Sequence, residues 1–526
     1  MSASTDNVLP AEDQLDKLAR RRRLKDRLVN SAIGGGGLFV LLAITVIFFY
    51  LLYEVWPLFE SAKVEPQGRH VTASAAAHVD IDEYRQTGLR VEHDGRVQYF
   101  RVGDNESLGE AQLPLPEGVT VSTVTRGSIT SGLVGLGLSD GRLLVVQSDY
   151  DVRLDNDGNR HVTPGLRYPY GEAPLALDDA GAPVGVFAFR GDDKQLTVMG
   201  HAQGRLMLSR FEKESTGGGM FSLFGGGSDD SAVWSRVKQA ELPLSAVTPR
   251  FMVIGADGRW GYVFHGGNEV AIFALRADGG PVLYQQTRAG NDDITSVEAL
   301  LGNVSLLVGD VHGNIGQWFM VRDKHSAVDK FSFTRIRSFK MGDAGITAIT
   351  PEPRRKGFVA GDAKGRIGYF YTTSERTLGV VEAADSPIRR IALSPRSDLI
   401  LAQADKGLAT VALDAEHPDL SLHSAWGKVW YESYPEPMYN WQSTSGNIDF
   451  EGKLSLVPLT FGTLKAAFYA MLLGAPLAIC AAMYTAVFMA PGLRRKVKPT
   501  IELMEALPTV ILGFLAGLWL APTIEA

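Results

Sequence analysis

Three stretches of this chain are almost free of charge, and the sequence between the first two is broken into short apolar runs. Val29 to Tyr53 holds no charged residue over 25 positions. As a helix rising 1.5 Å per residue it reaches about 37 Å, more than a hydrocarbon core of roughly 30 Å. Ala466 to Ala490 is a second uncharged run of 25 residues, and about Ala506 to Pro522 a shorter third. Between the first two, apolar runs of strand length are punctuated by turns that contain Gly.

Seven such turns recur. They are His93-Asp94-Gly95, Ser139-Asp140-Gly141, Ala202-Gln203-Gly204, His265-Gly266-Gly267-Asn268, Val311-His312-Gly313, Ala363-Lys364-Gly365 and Asp405-Lys406-Gly407. Each is followed by an apolar run, as in Ile367-Gly368-Tyr369-Phe370-Tyr371, and preceded by another, as in Phe358-Val359-Ala360. The anchoring glycines lie 46, 63, 63, 46, 52 and 42 residues apart. A period of about 40–50 residues with turn-joined strands is the signature of propeller blades. Two-residue hairpin turns need positive φ, which Gly supplies. The two long intervals contain insertions at about 149–172 and 212–235. An irregular β-sandwich with coincidental Asp-Gly turns accounts less well for seven matches at near-regular spacing. The absence of a Trp-Asp dipeptide at the blade ends keeps the likeness to WD-repeat propellers loose.

Charge orients these elements. Lys17, Arg20 to Arg23, Lys25 and Arg27 precede the first span, and Arg494, Arg495, Lys496 and Lys498 follow the second. The positive-inside rule puts both clusters in the cytoplasm and the long segment between the spans outside it. The first apolar run exceeds the 7–15 residues of a signal-peptide core, so it reads as an anchor. The chain thus reads as a multidomain membrane protein. It has a basic cytoplasmic N-terminus (1–28), a transmembrane helix (29–53), an extracytoplasmic all-β, seven-bladed propeller-like domain (60–450) and a helical C-terminal part (456–526). An inner-membrane location, with residues about 60–450 periplasmic, follows.

Composition removes other classes. The 57 Gly lack a G-X-Y period, which excludes collagen, and 45% hydrophobic residues exclude a mainly disordered chain. A net charge of −7 gives no basic balance for nucleic acid. A single cysteine, Cys480, excludes an intrachain disulfide and a Cys-based metal site. Gly137-Leu138-Ser139-Asp140-Gly141 matches G-x-S-x-G, but a hairpin turn replaces the strand-to-helix elbow that exposes a nucleophile. Asp155-Asn156-Asp157-Gly158-Asn159 resembles a calcium loop, yet Arg153 falls at the first ligand position. There is no P-loop and no H-E-x-x-H. Hence no cofactor is expected in this chain, nor an ATPase site of its own. Gly217 to Gly227 holds an apolar pentamer between glycines, read as a loop insertion or a docking tip.

The C-terminal part carries a resemblance. Its motifs are Leu456-Val457-Pro458-Leu459-Thr460-Phe461-Gly462-Thr463-Leu464, Gly474-Ala475-Pro476-Leu477-Ala478, Arg494-Arg495-Lys496 and the run from Ile501 through Leu507-Pro508-Thr509-Val510 to Gly513. Over about 70 residues this resembles the permease subunits of phosphate ABC importers, with spans at about 466–490 and 506–522. The resemblance implies the N-terminal part of a permease core with the propeller inserted as an accessory domain. Implied partners are a separate ATPase subunit, a second permease subunit, a periplasmic phosphate-binding protein and membrane lipid. The implied substrate is inorganic phosphate, with sulfate, molybdate or another oxyanion as alternative. Pro476, Pro508, Thr509 and Gly513 become candidates for the substrate path or helix packing. Pro opens the backbone ladder, and Gly lets a neighbouring helix approach. The competing class is a membrane-anchored propeller that scaffolds or senses. A propeller quinoprotein enzyme has no cofactor-site pattern to support it.

Overall fold

A computed structural model describes residues 12–72, 76–202, 204–214, 233–244, 247–277, 279–326, 328–505 and 509–525. The chain separates into two units, residues 1–438 with 442–454, and residues 439–441 with 455–526.

The first unit is a seven-bladed β-propeller, each blade an antiparallel sheet of its own. Blade 1 comprises His78–Ile81, Thr87–Val91, Arg96–Arg101 and Ser107–Gln112. Blade 2 comprises Val121–Arg126, Leu133–Leu138 and Arg142–Leu154, flanked by Leu175–Ala176 and by Arg160–Arg167. Blade 3 runs Phe187–Gly191, Gln195–Ala202, Arg205–Lys213 and Trp234–Glu241. Blade 4 runs Pro249–Ile254, Trp260–His265, Glu269–Ala274 and Val282–Arg288. Blade 5 is Ile294–Ala299, Leu306–Asp310, Asn314–Arg322 and Phe331–Lys340. Blade 6 is Ile346–Pro351, Gly357–Asp362, Arg366–Tyr371 and Arg376–Glu382. Blade 7 is Ile388–Leu393, Leu399–Ala404 and Gly407–Asp414, completed on its outer edge by the N-terminal strand Lys63–His70. The ring is thus closed by both ends of the domain, which leaves no blade short of an outer strand.

All seven Gly turns join the second and third strands of a blade. Expectation and structure differ in their length. Blade 7 has the two-residue form, with Ala404 opposite Gly407. Blades 5 and 6 use three-residue loops instead. Asp362 Oδ1 accepts the N–H groups of Lys364 and Arg366, each at 2.9 Å, and Gly365 then takes φ +84°. Asp310 repeats this with His312 and Asn314, and Gly313 sits at φ +79°. An Asp acceptor before a three-residue loop with a left-handed Gly is a stable hairpin solution. The insertion at 149–172 is a long hairpin, Arg142–Leu154 paired with Arg160–Arg167. The motif Gly217 to Gly227 lies outside the described residues.

Blade-to-blade packing is apolar and close. A Cβ on Gly309 would strike Ile346 of the next blade at 2.7 Å, and one on Gly361 would strike Ile388 at 2.6 Å. Glycine at these two strand positions is what lets one sheet lie on the next. The cores between blades are built from residues such as Val359, Tyr369, Ile388 and Val411, all fully buried.

The chain leaving blade 7 returns along blades 5 and 6 through residues 415–438, pinned by a buried polar network. Lys356, 2% exposed, donates to Glu432 Oε2 at 2.6 Å and to the Leu301 carbonyl at 2.6 Å. Ser305 Oγ donates to the same Glu432 carboxylate. Arg337, 4% exposed, donates to the Trp430 carbonyl at 2.6 Å and to Gln317 Oε1 at 2.9 Å. It also lies 3.5 Å from Glu375 and 3.8 Å from Glu451. Thr373 donates to Glu451 Oε1 at 2.8 Å, and the Glu432 N–H donates to Glu451 Oε2 at 2.7 Å.

The helical part corrects the sequence expectation. Two stretches among the described residues are helical, long and apolar enough to cross a membrane, Lys25–Leu58 and Val457–Phe488. The third expected span is represented by Leu512–Glu525, a shorter apolar helix. Among the described residues the helices do not make up a multi-span permease body.

Candidate functional site: the central channel

The first strand of every blade faces the propeller axis, where a cavity of 290 Å³ is lined by residues of all seven. Local backbone geometry supplies much of its chemistry. In five blades the register of the first strand shifts near its start. The residue skipped by the pairing is Ser122, Arg250, Thr295, Thr347 or Arg389. Such a bulge bends the strand and re-aims one side chain. Ser122, Thr295 and Thr347 donate to the carbonyls of Gly137, Gly309 and Gly361 on the adjacent strand. The two arginines, Arg250 and Arg389, line the cavity.

Deeper in the channel, Arg126 at the end of its blade 2 strand reaches across the axis. It donates to Thr350 Oγ1 of blade 6 at 2.9 Å and to the Ile391 carbonyl of blade 7. Beyond it lies a second cavity of 230 Å³ that shares His78, Arg126 and Thr350 and adds Asp80, Gln147 and Tyr150. Arg126 thus stands between two chambers. Arg390 donates from Nε to the Ala77 carbonyl at 3.0 Å and from Nη1 to the Arg389 carbonyl at 3.0 Å. Arg389 differs, being paired with Asp405 at 2.6 and 2.8 Å.

The channel perturbs its titratable groups. Burial pushes the Glu298 carboxyl up to about 7, partly offset by Arg126. It is half-buried and lines the central cavity. Burial also raises Asp80. His78 is held well below its usual value by burial, Arg126 and Arg390, and its Nε2 has no hydrogen-bond partner.

The sequence candidates lie elsewhere. Pro476 is inside the helix Val457–Met483, and Thr509 opens the helix Thr509–Leu515. A Cβ on Gly513 would meet nothing within 4 Å, so no packed neighbour accounts for that glycine. Pro508 lies outside the described residues. Ser139 of the G-x-S-x-G match accepts the Thr120 N–H at 3.0 Å in a strand-to-strand turn. Asp155 folds over its own loop, accepting from Asp157 and Asn159, and is held at about 2. Among the described residues no group of three or more His, Cys, Asp or Glu is placed to hold a metal ion. The channel arginines were missed because their convergence exists only once the ring closes. The one local signal is the basic residue directly after the first residue of two inner strands, Pro249-Arg250 and Ile388-Arg389.

No family model and no curated protein matches the chain. Similar solved structures include Raptor of Chaetomium thermophilum, 13% identical over 68% of this chain, with a TM-score of 0.43. The chain spans 29% of that Raptor chain. A chain of the mitotic checkpoint complex is 13% identical over 66% of this chain and 93% of its own, with a TM-score of 0.40. The propeller domain of Cps50 (Swd1) of Myceliophteria thermophila is 11% identical over 66% and 100%, with a TM-score of 0.42. The expected membership of the phosphate ABC permeases is corrected: no family model supports it, and among the described residues two helices, not three, are long and apolar enough to cross a membrane. The expected importer function falls with it. So do its partners, the ATPase subunit, second permease subunit and periplasmic phosphate-binding protein.

Proposed function

We propose that this chain is a membrane-anchored propeller scaffold, holding a partner protein at the membrane surface. The observation that carries this reading is the closure of the ring. Its sealing strand, Lys63–His70, follows the helix Glu12–Val55 after only the short turn Trp56–Phe59 and three further residues. The strand that locks the ring is therefore tied to an apolar helix of spanning length. The basic residues before that helix favour a cytoplasmic N-terminus and a ring on the opposite face, periplasmic if the membrane is a bacterial inner membrane. The chain is read as a binding protein and not an enzyme, since the Ser139 and Asp155 motifs lie in turns closed by their own hydrogen bonds. Exposed apolar side chains on outer strands, Val237, Leu283 and Val380, offer contact points.

The test uses the full chain in its membrane. A reporter active only outside the cytoplasm should work when inserted at Gly279-Gly280 and fail after Lys498. Photoreactive residues at Val237, Leu283 and Val380 should give one recurrent cross-linked protein. Reversed reporter activity, or no adduct from any of the three together with a bare monomer in native extracts, would overturn the scaffold reading.

A further inference from the structure

We infer that the central channel binds a small dianion, a dicarboxylate or a tetrahedral oxyanion, held by Arg126, Arg250 and Arg390. The inference holds whether or not the ring docks a partner. The channel arginines fall into two kinds. Arg389 is neutralised by Asp405 through two hydrogen bonds. Arg126 and Arg390 spend their donors on neutral acceptors, Thr350 Oγ1 and the carbonyls of Ile391, Ala77 and Arg389. A guanidinium has five donors in a planar fork, so each retains N–H groups for a ligand. Arg250 lines the same cavity and, among the described residues, makes no hydrogen bond or ion pair.

Half-buried guanidinium groups that donate only to neutral acceptors keep a positive charge with no anion beside it, whereas in the tail network Lys356 meets Glu432. The channel acids do little to offset it. Glu298 and Asp80 lie within reach of the field of Arg126 but pair with no arginine, and burial drives both carboxyls towards neutrality. His78, 4% exposed, leaves its Nε2 unpartnered at the wall shared by both chambers. An unsatisfied buried polar atom beside under-paired arginines is what an empty polar site leaves behind. The 290 Å³ volume admits a molecule of a few heavy atoms and excludes a polymer.

The test is calorimetry and thermal unfolding on the full chain in detergent at constant ionic strength. Malonate and sulfate are the probes, with malonamide and chloride as controls. One saturable site per chain is expected for malonate, sulfate or both, with a raised unfolding midpoint and no effect of malonamide. The arm that binds distinguishes carboxylate from tetrahedral oxyanion. Arg250→Gln and Arg390→Gln should each weaken binding about tenfold, the worth of a charge-assisted hydrogen bond. Arg322→Gln, which removes a surface pair with Asp329, should leave it unchanged. Should Arg390→Gln fail to fold, Arg250→Gln decides, since that side chain is exposed and bonds to nothing in the ring. No saturable binding of either anion, a rise matched by chloride, or wild-type affinity in folded Arg250→Gln would overturn the proposal.

Discussion

The channel and the tail network both gather charged side chains away from the open surface, half-buried in the first and buried in the second, yet they are built on opposite rules. Along the returning tail, Lys356 meets Glu432 at 2.6 Å, and Arg337 lies within 4 Å of both Glu375 and Glu451. In the channel, among the described residues, Arg126 and Arg390 donate only to neutral oxygens, and Glu298 accepts only from the Ala299 N–H. Desolvation acts in both places, more strongly on the fully buried Lys356 and Arg337 than on the half-buried Arg126, Arg390 and Glu298. The tail network offsets it internally, so its charges fix where the chain leaves the ring. The channel leaves the balance open, which is the property expected of a site and not of a joint.

The largest effect that separates the two lies at Lys356. Replacing it by Met keeps volume but strands the Glu432 carboxylate and the Leu301 carbonyl. Breaking one side of a buried pair costs about 3–5 kcal/mol. Chemical denaturation followed by Trp fluorescence should show that loss in Lys356→Met. A cost as small as that of a surface pair would mean the tail is not held by this network, and the contrast with the channel would collapse.

Next in size is a pH effect confined to the channel. Burial pushes Glu298 up to about 7, whereas an unfolded Glu titrates near 4.3. The folded protein therefore holds this proton more tightly than the unfolded chain. The stability this gives is complete below about pH 4.3 and is lost as pH rises through about 7. Arg126 opposes the shift, and Arg250 and Arg390 line the same cavity, as does His78, which burial and the two arginines hold well below its usual value. Allowing for water in the cavity, the loss is on the order of 2 kcal/mol. Glu298→Gln fixes the neutral form, so its unfolding midpoint should fall less than that of the wild type between about pH 5 and 8. Parallel profiles would show that the carboxyl is solvated and that the channel is wetter than its geometry implies.

The repeat was legible because its signal is local. Each Gly turn, with its flanking apolar runs, needs only a few neighbouring residues, and all seven fell between the second and third strands of a blade. Where loop length depended on a side chain, as with Asp310 and Asp362, the two-residue expectation failed. The closing strand Lys63–His70 was not legible, because its sequence KVEPQGRH has no apolar alternation and its partner lies at the far end of the ring. Arg126 reads in sequence as one basic residue before a glycine, and only ring closure brings it to Thr350 and Ile391. The permease resemblance rested on short motifs within apolar helices, where composition limits the variety of any segment.

The smallest prediction is also the most direct comparison, since it makes one substitution in both regions. Thr373 and Thr350 are both almost fully buried, at 3% and 2% exposure. Thr373 donates its hydroxyl hydrogen to the buried Glu451 carboxylate at 2.8 Å. Thr350 donates to the Ile391 carbonyl at 3.0 Å and accepts from Arg126. Valine keeps the shape and removes only the hydroxyl. At 373 the carboxylate loses a charge-assisted bond with no solvent to replace it, a cost of about 2 kcal/mol. At 350 the groups left behind border a cavity, so a water can take the hydroxyl's place and the cost should stay below about 1 kcal/mol. Thermal unfolding of Thr373→Val and Thr350→Val in the same buffer reads the difference directly. Equal losses, or a larger one at Thr350, would show that Arg126 is a sealed strut like Arg337. The channel would then be a second joint and not an open site.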